Sequence, residues 1–360
     1  MENPAQSLLL AHTQLQEYAR VLLLEGGRGW LGCQVARQFP KGEVLSLDRD
    51  VRAVWAAQKR LAPIPNAAAG FEVYPASGDW DLVLLTIPKE RRYARTLLLA
   101  AWEALKPGGK LLLAGPTRKG AKAVITDAER LFGNIAVLGY RQHQRVAACT
   151  RGNSLPAPLP EEFQQPGVAP GTTHTLQVER PEGTLTIASH PGIFSWQALD
   201  EGTALLLEHL EIRAGLRVWD VGCGSGILGL AAALAGASEV FMSDVNLLAV
   251  GYALNNAAAN QLEARTMIFP ADGLCPPPSH QDPPPFDLIL SNPAFHQGQA
   301  VDRGMADAII AQAASTLAPT GRLLIVANRF LNYDRFMGGH FKHIRRLADN
   351  GKFHVIEAGN

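Results

Sequence analysis

The sequence predicts an α/β protein made of two tandem Rossmann-like domains related by internal duplication. The first observation is the stretch Leu216-Arg-Val-Trp-Asp-Val-Gly-Cys-Gly-Ser-Gly-Ile-Leu-Gly-Leu230. It reads as a buried strand running into a glycine-rich turn and then an Ala/Leu helix. The second is an echo of that pattern upstream: Gly27-Arg-Gly-Trp-Leu-Gly32 aligns with Gly224-Ser-Gly-Ile-Leu-Gly229 at an offset of 197. Three more matches follow in the same order. Asp48 pairs with Asp244 (offset 196), Asp81-Leu-Val-Leu-Leu85 with Asp287-Leu-Ile-Leu-Ser291 (206), and Leu105 to Leu113 with Leu317 to Ile325 (212). Such order is the mark of a duplicated unit. The third is a shift to Pro, Gly and Gln from Arg151 to Gly171, the composition of an extended linker. The expected organisation is a first domain over 1–150, a linker over 151–172 and a second domain over 173–360.

Length and composition agree with two cores. A chain of 360 residues exceeds one ordinary core. With 47% hydrophobic and 18% charged residues it reads as globular rather than disordered. The four cysteines, Cys33, Cys149, Cys223 and Cys275, form no C-x-x-C pair, so neither a disulfide framework nor a zinc site is expected. No signal peptide opens the chain and no apolar run reaches the ~20 residues that span a bilayer. A cytoplasmic, metal-free monomer is the expectation. The net charge of zero hides a dipole: residues 1–150 carry 20 Lys+Arg against 13 Asp+Glu, giving +7, and residues 151–360 carry 13 against 20, giving −7. A basic half beside an acidic half suggests that the first binds a polyanion, or simply carries a solvated rim.

Taken in order, residues 1–19 read as an amphipathic helix before the strand Val21 to Leu24. A glycine turn, Glu25 to Gly32, then opens a helix, and Glu43 to Leu47 forms the next strand. Glu25 stands where the second copy has Gly222, putting a side chain where backbone should approach a ligand. Thr86-Ile-Pro-Lys89 stands where the second copy has Asn292-Pro-Ala-Phe295. The first copy is therefore expected to have lost catalysis. Lys89, Arg91, Arg92, Arg95, Lys106, Lys110, Arg118, Lys119 and Lys122 are its candidate phosphate contacts.

In the second copy, Thr175 to Glu179 and Thr184 to Ser189 alternate as a hairpin, and a helix is expected over Leu199 to Leu210. Phe194 and Ser195 border the pocket or merely connect strand to helix. The glycines at 222, 224 and 226 do not meet the dinucleotide spacing, whose sixth position here is Ile227. An acidic strand end, Asp220, followed by G-x-G-x-G resembles the S-adenosylmethionine (AdoMet) methyltransferases. Asp244 ends the next strand and reads as a ribose ligand or a helix cap, the glycine turn favouring ribose. Asp272 reads as an acceptor for an adenine amino group or as a turn residue. Asn292 and Pro293 end a strand where open α/β sheets bind ligands. There the Asn292 oxygen and the Pro293 carbonyl can accept both hydrogens of an aromatic amine and aim its lone pair at a methyl group. Phe295 is placed to stack on the base, worth ~1–3 kcal/mol.

Five segments together carry a more specific resemblance: Pro191 to Ser195, Asp220 to Gly226, Ser291 to His296, Val326-Ala-Asn-Arg-Phe-Leu331 and Gly351 to Val355. The chain is similar to the 16S ribosomal RNA guanine-N2-methyltransferase family, whose members have tandem methyltransferase-like domains with only the second active. The resemblance implies AdoMet as cofactor and ribosomal RNA of the small ribosomal subunit as partner. It also implies Asn292, Pro293 and Phe295 as catalytic residues, Asp220, Gly222, Gly224, Gly226, Asp244, Asp272 and Asn292 around the cofactor, and Arg329 and Phe330 with Phe295 on the RNA. Ala294 departs from the family's second proline, which loosens the loop without removing either acceptor. The alternatives are a large-subunit guanine, an adenine amino group, a protein glutamine, or a non-catalytic RNA-binding assembly factor.

Overall fold

The structure, a computed structural model, describes residues 3–14, 19–72, 78–293, 300–331 and 333–360. It divides into two compact units, Met1–Thr173 and His174–Asn360. The first contains α1 (Pro4–Ala11), β1 (Arg20–Leu24), α2 (Trp30–Gln38), β2 (Glu43–Leu47), α3 (Val51–Leu61), β3 (Ala67–Gly70), β4 (Trp80–Thr86), α4 (Arg91–Ala104), β5 (Leu105–Pro116), α5 (Ala121–Phe132), β6 (Ala136–Arg141) and β7 (Gln144–Thr150). In the second, the hairpin β8 (His174–Arg180) and β9 (Gly183–Ser189) precedes α6 (Glu201–Glu208), β10 (Arg217–Val221), α7 (Ile227–Leu234), β11 (Glu239–Asp244), α8 (Leu247–Ala259) and β12 (Thr266–Pro270). Then come β13 (Phe286–Ser291), α9 (Ala300–Thr316), β14 (Leu317–Asn328), α10 (Tyr333–Met337), β15 (His343–Asp349) and β16 (Phe353–Gly359).

The two large sheets run β3-β2-β1-β4-β5-β7-β6 and β12-β11-β10-β13-β14-β16-β15, the same order strand for strand. Six strands of each run in one direction, and β7 or β16, inserted between the last two of them, runs against the rest. Helices cover both faces, so central strands such as Val21 to Leu24 and Val218 to Val221 are buried throughout and read as apolar runs. The likeness extends to single hydrogen bonds. The Arg20 amide donates to Asp81 Oδ2 (2.7 Å) and the Arg217 amide to Asp287 Oδ2 (2.8 Å). Arg20 Nε donates to Glu43 and Arg217 Nε to Glu239, both at 2.8 Å. Each guanidinium also lies 4.7 Å from an aromatic centroid, Trp80 or Phe286.

Segment 151–172, expected as an extended linker, is grouped with the first unit. Its Phe163 and Val168 are buried, and Glu162 pairs with Arg130 at 2.9 Å. Two apolar side chains among many prolines are enough to hold an otherwise polar strap on a domain. Among the described residues no helix is long and apolar enough to cross a membrane, and no group of three or more His, Cys, Asp or Glu is placed to hold a metal ion.

Candidate active site

In both sheets the strand order reverses between the first and fourth strands, β1 and β4 or β10 and β13, which opens a crevice beyond their carboxyl ends. In the second unit an aromatic cluster fixes the strands beneath this crevice. Trp219 packs on Phe241, Phe269 and Phe286 with centroids 5.1–6.0 Å apart, and its Nε1 donates to Ser243 Oγ at 3.0 Å. The Ser243 carbonyl accepts the Gly222 and Cys223 amides at 2.8 and 3.0 Å, which sets the path of the glycine turn. Across the reversal, Ser291 Oγ donates to the Val221 carbonyl at 2.8 Å, tying the end of β13 to the end of β10. Asn292 is thereby held beside the turn.

The turn is a cradle left open. Gly222 and Gly224 have φ of 75° and 56°, and a Cβ built on either would meet no atom within 4 Å. Gly226 and Gly229 serve packing instead, since a Cβ there would lie 2.8 and 2.6 Å from the Met242 side chain. Asp220 is fully buried. Its Oδ2 accepts the Gly229 amide at 2.8 Å, while Oδ1 has no hydrogen-bond partner among the described residues. Burial is the main cause that pushes this carboxyl up to about 7, the Asp244 charge adding to it. Asp244 lies at the rim, where Oδ2 accepts the Gly224 amide (2.9 Å) and Oδ1 the Asn246 amide (2.8 Å). It does not cap α8 itself: Asn246 does, accepting from the Leu248 amide at 3.1 Å. Asn246 Nδ2 also donates to the Gly192 carbonyl at 2.8 Å, anchoring the loop that carries half-exposed Phe194 and Ser195 with φ 50°.

Asn292 and Pro293 complete the crevice. The Asn292 amide nitrogen donates to Asp200 Oδ2 at 2.9 Å and to Thr203 Oγ1 at 2.8 Å. Pro293 is buried. Asp200 and Thr203 escaped the sequence reading, which began the helix at Leu199. The signal was available, because Asp-Glu-Gly-Thr is an N-cap pattern and Asp200 accepts the Thr203 amide at 2.9 Å. Asp272 is exposed in the turn after β12, whose Leu274 amide donates to Gln312 at 3.0 Å. Arg329 and Phe330 follow β14 on the same edge of the sheet, with Phe330 58% exposed. Ala294, Phe295 and His296 lie outside the described residues.

The equivalent place in the first unit is filled. Glu25 takes φ 53°, the same left-handed path as Gly222, and its Oε1 accepts the Tyr93 hydroxyl at 3.0 Å. Arg49 lies 3.8 Å from Glu25 and 4.1 Å from the Tyr93 centroid. Gln6 donates to the Gly26 carbonyl at 2.9 Å and sits 3.1 Å from a Cβ at Gly27, where Gly224 is open. Burial raises the Glu25 carboxyl to about 7, with Arg49 opposing. Among the basic side chains, three are engaged in ion pairs within the first unit. Arg91 and Arg95 both hold Asp127, at 2.7 and 3.0 Å, and Lys106 pairs with Asp81. Lys89, Lys110, Arg118, Lys119 and Lys122 are exposed.

Comparison with known proteins agrees with this geometry. The Methyltransferase small domain family matches residues 3–147 and 184–357, once per unit. Proteins named ribosomal RNA small subunit methyltransferase C are similar over the whole chain. That of Hahella chejuensis is 30% identical across 99% of this chain and 98% of its own, and that of Chromohalobacter salexigens is 33% identical across 88% of each. A solved T. thermophilus structure is 28% identical with a TM-score of 0.82, covering 99% of this chain and 92% of that one. It is the 16S rRNA N2 methyltransferase RsmC, named for guanosine 1207, in complex with AdoMet and guanosine. With the family matched twice and relatives matched end to end, this chain belongs to the ribosomal RNA small subunit methyltransferase C family.

Proposed function

We propose that the second unit transfers a methyl group from AdoMet to the 2-amino group of a guanine in 16S rRNA, in the cytoplasm, and that the first unit binds the RNA without catalysis. The observation that carries the reading is the Asn292 carboxamide, whose nitrogen is held by Asp200 and Thr203, so that its oxygen is the atom assigned to substrate. The T. thermophilus relative, which binds both AdoMet and guanosine, supports the choice of base.

The residues fit AdoMet. The unpartnered Asp220 Oδ1 matches a cofactor ammonium, the open faces of Gly222 and Gly224 admit its amino-acid end, and Asp244 stands at the ribose position one strand over. Gly226 turns the chain into α7, Asp272 is assigned the adenine amino group, and Asn292 faces the same pocket. When bound, AdoMet supplies an electrophilic methyl group on a sulfonium. Asn292 Oδ1 and the Pro293 carbonyl each accept one amino hydrogen, which turns the nitrogen lone pair away from the ring and toward that methyl. The N–C bond forms as the S–C bond breaks, and the displaced amine proton leaves to water, so no strong general base is required. Positioning contributes most of the rate. Phe295, Arg329 and Phe330 are assigned to the extruded nucleotide and its neighbours.

The test is transfer of labelled methyl to undermethylated small and large subunits and to their naked RNAs, with mass analysis of the modified nucleoside. N2-methylguanosine in small-subunit RNA supports the reading. Label in adenosine, in protein or in large-subunit RNA overturns the substrate, and no label with no AdoMet binding by calorimetry leaves an assembly factor. Asn292→Ala is expected to lower transfer at least ~100-fold with AdoMet affinity nearly unchanged.

A further inference from the structure

We propose that Asp200 and Thr203 are positioning residues that lock the rotation of the Asn292 carboxamide; the proposal rests on the reading of Asn292 as the acceptor for the substrate amine. An asparagine side chain can turn over about its last bond and exchange oxygen for nitrogen. Turned over, Asn292 would present N–H donors to an amine that itself donates, and the substrate would be repelled. A carboxylate prevents this because it only accepts. Asp200 Oδ2 takes one Asn292 hydrogen at 2.9 Å, and Thr203 Oγ1 takes the other at 2.8 Å. Thr203 Oγ1 in turn leans on Asp200 Oδ2 at 3.4 Å, so its hydroxyl hydrogen points away from Asn292 and its lone pair toward it. With both Nδ2 hydrogens engaged, the planar amide has one orientation left, with its oxygen turned away from Asp200 and Thr203.

Packing holds the pair in place. Asp200 is the N-cap of α6, accepting the Thr203 amide at 2.9 Å. In the first turn of that helix Gly202 is closely packed: a Cβ would lie 3.0 Å from Asp200 Oδ2 and 3.3 Å from Val326 Cγ2. The helix start therefore sits directly on β14, beside the strand that carries Asn292. The duplicate supplies a control. At the offset of 197, Asp200 corresponds to Asn3 and Thr203 to Gln6. Asn3 still caps its helix, accepting the Ala5 amide at 3.0 Å, but Gln6 donates to Gly26. Thr86, in the place of Asn292, keeps a buried hydroxyl without a partner among the described residues. Capping is retained in both copies, and among the described residues the link to the strand end is found in the second alone.

The experiment compares Asp200→Ser, Asp200→Asn and Thr203→Val in the full chain. Serine keeps the cap but cannot reach Asn292, whereas asparagine keeps both the cap and an acceptor. Two readouts are taken. One is the pair of Asn292 side-chain amide protons in nitrogen-15 spectra, identified by their loss in Asn292→Ala. The other is kcat and KM for RNA with AdoMet affinity by calorimetry. Expected are two slowly exchanging amide protons in wild type that lose protection in Asp200→Ser and Thr203→Val. With that loss, kcat falls about 10- to 100-fold and about 3- to 10-fold respectively, KM and AdoMet affinity stay within about twofold, and Asp200→Asn recovers most of the rate. Unchanged protection, or protection lost with kcat unchanged, overturns the proposal. So does a rate loss accounted for by weaker AdoMet binding. The amide spectra need no substrate, so a wild-type protein that methylates nothing fails the reading of function while the locked amide is still scored. Should Asp200→Ser not fold, Thr203→Val decides in the same way.

Discussion

The two glycine turns trace the same backbone and differ in what occupies the space above them. In the second unit, Gly222 and Gly224 open onto empty volume and a buried carboxyl, Asp220, has one oxygen with nothing to bind among the described residues. In the first, Glu25 enters that volume and is satisfied by Tyr93 and Arg49, while Leu23 replaces Asp220. Asp48 and Asp244 nonetheless make the same two bonds, to the Gly27 and Asp50 amides and to the Gly224 and Asn246 amides. The scaffold bonds survive duplication because the sheet needs them in either copy. The side chains aimed into the crevice have changed while these bonds have not, and function lies with the site rather than the scaffold.

The sharpest way to break the contrast is to write the first copy into the second. Gly222→Glu is expected to leave the fold intact, because Glu25 already adopts that path, and to weaken AdoMet binding at least about 100-fold by filling the cradle. Calorimetry with a melting curve separates the two effects. A second test uses the buried acid. Asp220 is raised to about 7, so it is neutral at lower pH and must ionise to meet an ammonium. AdoMet affinity is expected to rise about 10-fold from pH 6 to pH 8, and Asp220→Asn flattens the profile at the weaker end. Smaller still is the effect of the basic rim. Replacing Arg118, Lys119 and Lys122 together by alanine is expected to raise KM for RNA several-fold at low salt and less at high salt, with kcat unchanged. The smallest effect falls on Glu25. Its folded pKa exceeds the ordinary carboxylate value, so folding stability declines as pH rises from about 4.5 to about 7. Glu25→Gln is expected to reduce that decline by a few degrees of Tm between pH 5 and pH 8.

Much of this contrast was legible in the sequence, for a physical reason. Strands buried on both faces are uniform apolar runs, and glycines cluster where backbone must turn with positive φ, so β1, β10 and both turns could be read locally. The Glu25 substitution was equally visible, since it falls within one aligned motif. The partners of Asn292 were not, because Asp200 and Thr203 lie 92 and 89 residues away and meet it only through the packing of α6 on the sheet. The pairing within the basic surface was hidden for the same reason. Composition counts Arg91 and Arg95 as available cations, and only the fold brings Asp127 between them. Phe163 and Val168 likewise look like incidental apolar residues in a proline-rich segment until the first unit buries them.

The unpartnered oxygen of Asp220 also has a consequence for the lifetime of the protein. A buried carboxyl with one oxygen unpartnered among the described residues costs stability that a bound ammonium would restore, and that gain is part of the affinity through which the cofactor favours the folded state. Proteolysis that samples the opened chain is then slowed when AdoMet is plentiful and quickened when it is scarce, coupling turnover of the second unit to the supply of methyl groups.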